Sequence, residues 1–139
     1  MMDRLFLDAN VLFSAAYGSP ALNQLWERER LNRCRLLASN YVIEEARRNL
    51  EQQEHSIRLE KLVAQLRIVP EADTAIPCPI NLPLKDRPVI VAAIQARATH
   101  LITGDLRHFA PYRGQVIAGV RICTPRDYLS SLADVATPG

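Results

Sequence analysis

The stretch "RLFLDANVLFSA", residues 4–15, places an aspartate and an asparagine between two apolar runs. "RLFL" reads as a short buried strand, and "VLFSAAY" starts a helix that ends near Gly18. The rest of the chain keeps this alternation. "CRLLAS", "LRIVP", "THLIT" and "VRICT" are the further strand candidates. Between them the spacing predicts a helix through "SPALNQLWERERL", with Ser19 as cap and Pro20 in the first helical position, and another through "YVIEEARRNL", capped by Ser39 or Asn40. Helical stretches follow over 54–66 and through "DRPVIVAAIQARA", where Asp86 stands as cap, and Thr124, Pro125 and Asp127 open a last helix through "RDYLSSL". "AIPCPINLPL" reads as loop, because Pro77, Pro79 and Pro83 remove backbone donors. Strands alternating with helices predict an α/β fold with a central, mainly parallel sheet covered on both faces. A single domain over 1–132 and a flexible tail over 133–139 are expected.

Composition narrows the classes. The chain has 139 residues, 48% hydrophobic and 23% charged, which fits a folded globule and argues against disorder or a membrane protein. A net charge of +2 is too small to argue for nucleic acid by itself, so any such claim must rest on a site. Cys34, Cys78 and Cys123 are odd in number and widely spaced, which indicates neither a disulfide framework nor a zinc site. A reducing cytoplasm is the expected location. Asp8 and Asn10 break the N-terminal apolar run, so it reads neither as a signal peptide nor as a membrane span.

In open α/β sheets the ligand crevice lies beyond the carboxyl ends of the strands. Asp8 follows "RLFL" and Asp105 follows "HLITG", so both belong there. Each alone is readily a turn acid or a helix cap; with two on strands that both read as buried, unpaired carboxylates side by side would repel each other. Asp86 is explained equally well by capping. In "YVIEEARRNL", a rotation of about 100° per residue groups Val42, Ile43, Ala46 and Leu50, and leaves Glu45 nearer that face than Glu44. Glu45 is therefore the better candidate for an inward-reaching acid, although either glutamate reads alone as a solvated charge.

"LDANVLFSA", "SNYVIEEARRNL" and "LKDRPVIVAAIQARATHLITGDLRHF" together resemble the PIN-domain nucleases, especially the small single-domain toxins of VapC-like toxin–antitoxin pairs. The likeness runs over about 5–109 and a closing strand and helix. It implies a three-layer PIN-like fold, an acidic site of Asp8, Glu45, Asp86 and Asp105, and Asn10 and Thr103 as supporting polar residues. One departure stands out: where many relatives carry a further acid shortly before the aspartate matching Asp86, this chain has "NLPLKD", and Lys85 reduces the attraction for a second cation.

Several carboxylates tolerate proximity when a cation neutralises them, and hard oxygen ligands select Mg²⁺ or Mn²⁺ over zinc. Asp8 and Asp105 are then assigned as direct ligands, Asp86 as a direct or water-mediated ligand, and Glu45 as the group that orients or deprotonates the attacking water. Asn10 would steady a carboxylate or a bound water, and Thr103 would donate its hydroxyl to Asp8 or Asp105. Arg87, Arg107, His108 and Arg113 are candidate phosphate contacts, with solvated surface charge as the plain alternative. The expected function is a Mg²⁺- or Mn²⁺-dependent endoribonuclease, the toxin of a pair. Its alternatives are a catalytically degenerate PIN-like RNA-binding or interaction module, and a phosphoacceptor or nucleotide-binding α/β domain. With few aromatics and no basic run, the sequence offers no stacking platform for bases. If the chain is a toxin, a cognate antitoxin must restrain it, and a positively charged side chain placed among the acids is the expected means. An apolar patch around Trp26, Leu62 and Leu66 would hold that partner or a homodimer mate, unless these residues simply close the monomer core.

Overall fold

Leu5, Phe6 and Leu7 are consecutive in the first strand, and all three are fully buried. Successive strand residues point to opposite faces, so burial of every one requires cover on both sides of the sheet. The computed structural model describes residues 2–136 and shows this arrangement. Its six strands are β1 (Asp3–Leu7), β2 (Cys34–Ser39), β3 (Arg67–Val69), β4 (His100–Ile102), β5 (Val116–Ile117) and β6 (Val120–Cys123). They lie in the order β3-β2-β1-β4-β6-β5, with every neighbouring pair parallel except the hairpin of β5 and β6. Flanking the sheet are α1 (Ala9–Ala16), α2 (Pro20–Arg30), α3 (Asn40–Asn49), α4 (Gln53–Val63), α5 (Arg87–Gln95) and α6 (Pro125–Ala136). Among the described residues, no helix is long and apolar enough to cross a membrane.

Two of the helix-start signals act where expected, while Ser39 precedes α3 without making a side-chain capping bond. Ser19 accepts from the Leu22 N–H at 3.4 Å, and Pro20 occupies the first turn of α2. Thr124 and Asp127 exchange bonds at the start of α6, at 3.2 and 3.0 Å, which is a reciprocal capping box. Helix α6 continues past residue 132, where the sequence reading ended the domain; of the expected tail, 137–139 lie outside the described residues. The strand β5 is an addition to the sequence reading. It is two residues long and joins β6 through Ala118 and Gly119, both at positive φ (49° and 88°), a two-residue turn of the kind that matches strand twist.

The expected apolar patch is not on the surface. Trp26 is 1% exposed, and its indole N–H donates to the Leu62 carbonyl at 3.1 Å. Leu62 and Leu66 are also buried, so these three side chains close the monomer core.

Strand order fixes where a site can form. From β1 the chain runs outward through β2 to β3, then returns to β4 on the other side of β1. The order therefore reverses between β1 and β4. The crevice at such a switch point opens beyond the carboxyl ends of those two strands.

Candidate active site

Asp8 leaves β1 at that crevice and caps α1, accepting from the Ala9 N–H at 2.7 Å. Its other oxygen accepts the Thr103 hydroxyl at 2.9 Å and the Asn10 amide at 3.2 Å. Thr103 follows β4 directly, so this bond ties the two strand ends together. The same hydroxyl accepts from the Asp105 N–H at 3.0 Å. Asn10 also bridges the strands: its carbonyl accepts the Gly104 N–H at 2.7 Å. A Cβ on Gly104 would stand 3.2 Å from that carbonyl oxygen, so glycine suits the close approach.

Two more acids face the same space. A cavity of about 390 Å³ is lined by Asp8, Glu45, Asp86 and Asp105, together with Asn10, Phe13, Asn49 and Lys85. Glu45 comes from α3, while Glu44 is exposed and pairs with Arg47, which also binds Glu60 at 2.7 Å. Asp86 stands at the cap position of α5 but makes no side-chain capping bond. Its carboxylate turns away from the helix toward His108, whose Nδ1 lies 2.7 Å from Asp86 Oδ2 and 3.1 Å from Asp105 Oδ2. The ring is directed at Asp105, so the buried Asp86 Oδ2 has no aligned hydrogen-bond donor. Asp105 is further held by the N–H groups of Arg107 and His108, at 2.9 and 3.2 Å.

Crowding and burial set the electrostatics. Removal from water pushes the Asp8 carboxyl up to about 6; Thr103 and the Ala9 N–H oppose this, and the charges of Glu45 and Asp86 add to it. Asp86 is also raised, first by burial and then by Asp105, against the pull of His108 and Lys85. The donor set is thus rich in carboxylate oxygen, under-compensated and partly unpartnered. It suits a hard divalent cation. The tightest convergence among the described residues is Asp86, Asp105 and His108, whose ligating atoms lie within 4.8 Å of one another. Asp8 falls outside this trio, its oxygens already occupied by donors.

The four arginine and histidine candidates separate. Only His108 reaches the acids, and there it contacts carboxylates. Arg113 is paired with Asp127 at 2.7 Å in a different cavity, beside His100 and Tyr128. Arg87 donates to the Leu82 carbonyl at 3.0 Å and lines a second cavity with Tyr41 and Pro88. Arg107 is exposed. Phe13 and Asn49 belong to the site without having been singled out. Phe13 packs at a tilt against Tyr17 with centroids 4.9 Å apart, and Tyr17 likewise against His55 at 4.0 Å.

The comparisons with known proteins agree with this architecture. No curated protein matches the chain. Among solved structures, the fold is similar to the crystal structure of VapBC2 from Rickettsia felis bound to a DNA fragment from their promoter, with a TM-score of 0.63 and 14% identity, covering 87% of this chain and 98% of that one. The family model described as PIN domain matches residues 4–107. That span takes in both strand ends and every acid around the cavity, and the chain belongs to the PIN domain family.

Proposed function

We propose that the chain is a Mg²⁺- or Mn²⁺-dependent endoribonuclease and the toxin of a type II toxin–antitoxin pair. One observation carries this reading: carboxylates from four separate segments converge on one cavity at the switch point of the sheet. Asp86 and Asp105 would hold the ion, with Asp8 close by; when bound, such an ion offsets charge on a scissile phosphate and lowers the pKa of a water. Thr103 and the Ala9 N–H keep Asp8 in one orientation. Glu45, which lines the same cavity from α3, orients the water that attacks phosphorus and takes its proton. Lys85 at the rim meets a phosphate oxygen.

The partner follows from the same charge pattern. VapBC2 from Rickettsia felis is a complex with DNA in its crystal structure. For this chain, a protein partner that lays a cationic side chain into the acidic cavity would block the cleft.

Cleavage of single-stranded RNA by the purified chain, with Mg²⁺, with Mn²⁺ and with EDTA, tests the proposal. Activity restored by metal and absent in Asp8→Asn and Asp105→Asn is expected; equal cleavage in both variants would end it. Lys85 on the cavity wall favours a second reading, a degenerate RNA-binding module, which predicts RNA retention with no cleavage under any metal. A phosphoacceptor domain would instead become labelled by a phosphodonor at Asp8 or Asp105.

A further inference from the structure

His108 sits where the charge problem of the site is greatest. It follows Asp105 by three residues, so the turn after β4 delivers both side chains to one place. Asp86 arrives from the start of α5, is 8% exposed, and brings an oxygen with no well-aligned donor to within 2.7 Å of the same nitrogen. The separations have a meaning of their own. Adjacent ligands of an octahedral ion with bonds of about 2.1 Å stand about 3 Å apart. Nδ1 lies 2.7 and 3.1 Å from the two carboxylate oxygens, so it already stands at the spacing of a neighbouring ligand to each of them, and the ligating atoms of all three residues lie within 4.8 Å of one another. The buried Asp86 oxygen also lacks the aligned donor that a simple histidine–aspartate ion pair would supply.

Resting on the metal-dependent reading above, we infer that His108 is a direct nitrogen ligand beside Asp86 and Asp105, and that it biases the site toward a divalent transition ion such as Mn²⁺ over Mg²⁺. An imidazole nitrogen is a borderline donor that first-row transition ions accept, whereas Mg²⁺ prefers carboxylate and water oxygen and dehydrates reluctantly. The backbone N–H of His108 already holds Asp105, so replacing the side chain leaves that contact in place. Asp105 should therefore keep its position in a variant.

The test uses the full chain and metal binding without RNA. Mn²⁺ affinity is read from the free-ion paramagnetic resonance signal, Mg²⁺ affinity by competition, and the ligand atom from nitrogen modulation of the bound Mn²⁺ echo, with and without ¹⁵N-histidine. The wild type should bind Mn²⁺ at least about tenfold more tightly than Mg²⁺ and show isotope-sensitive nitrogen modulation. His108→Ala should weaken Mn²⁺ by about tenfold or more, change Mg²⁺ by less than about threefold, and lose the modulation. His108→Asn, checked by thermal melting, serves if the alanine variant does not fold. Bound Mn²⁺ without nitrogen modulation, or equal or tighter Mn²⁺ binding in the variants, overturns the inference while leaving metal dependence intact; tighter binding would identify His108 as a cation the metal displaces. A wild type that binds neither ion removes both the inference and the reading it rests on.

Discussion

Glu44 and Glu45 are neighbours with the same chemistry, and one turn of α3 gives them different fates. Arg47, which it shares with Glu60, draws Glu44 into an exposed ion-pair row, while Glu45 reaches the cavity. Exposed pairs of this kind contribute little to stability, so Glu44→Gln should be nearly silent. Glu45→Gln should reduce cleavage by about 10²-fold or more, and Glu44→Gln by less than about threefold, in single-turnover assays on one RNA. Equal losses would mean that the water is oriented from elsewhere. That Glu45 and not Glu44 faces the cavity was legible, because helical rotation puts Glu45 nearer the buried face of α3. Asp86 was legible only as two alternatives, since a cap and a ligand occupy the same sequence position; the missing capping bond removes the first and leaves its carboxylate on the cavity. Phe13, Asn49 and the placement of His108 were not legible. Each depends on which other element stands opposite, and no local period records that.

At the scale of elements, what could be read from sequence followed the strength of local chemistry. Ser19-Pro20 and Thr124-Pro125-Arg126-Asp127 are explicit start signals, and α2 and α6 begin on them. The buried strands β1 and β2 are apolar on both faces and announce themselves by composition. Strand β5 does not: it has two residues, and its turn is Ala-Gly in place of the Asn-Gly that usually marks this geometry. Ala118 at φ 49° carries a left-handed cost that asparagine bears more easily. Ala118→Asn should therefore stabilise the protein by roughly 0.5–1 kcal/mol in urea unfolding, without changing metal affinity. A destabilised variant would show that the alanine methyl is needed. At the other hairpin edge, Thr124→Ala removes one half of the α6 capping box and should cost about 1 kcal/mol.

The whole molecule has to carry an acidic cavity, and its stability should report that load. Trp26, the chain's single tryptophan, is fully buried and bonded to Leu62, so its emission should be that of a buried indole in the isolated chain and should not move when a partner binds; a shift on binding would reopen that face as an interface. The carboxylates are a different matter, because their strain is global in effect. Asp8 in the folded state holds its proton up to about pH 6, against 3.8 for an unperturbed carboxyl, so between these values the native state binds more protons than the unfolded chain. Stability then falls as pH rises through that window and levels off above it. Two pH units correspond to about 3 kcal/mol at most for this buried group, and Asp86, raised for the same reason, acts in the same direction. Asp127, lowered to about 2 by its bond to Arg113, has the opposite sign, with its contribution present above the unperturbed value and lost as pH falls toward 2, so it does not mask the window. Urea unfolding in EDTA should accordingly show the wild type losing stability from pH 4 to pH 7, with Asp8→Asn losing clearly less across the same range and keeping only the part that Asp86 contributes. Adding Mn²⁺ at 100 times its dissociation constant should return about 2.7 kcal/mol at pH 7 through mass action, and much less at pH 4, where protons compete for the same oxygens. Parallel pH profiles for wild type and Asp8→Asn in EDTA would mean that the crowded carboxylates are already compensated by the protein itself, and that no cation is needed to make the cavity tolerable.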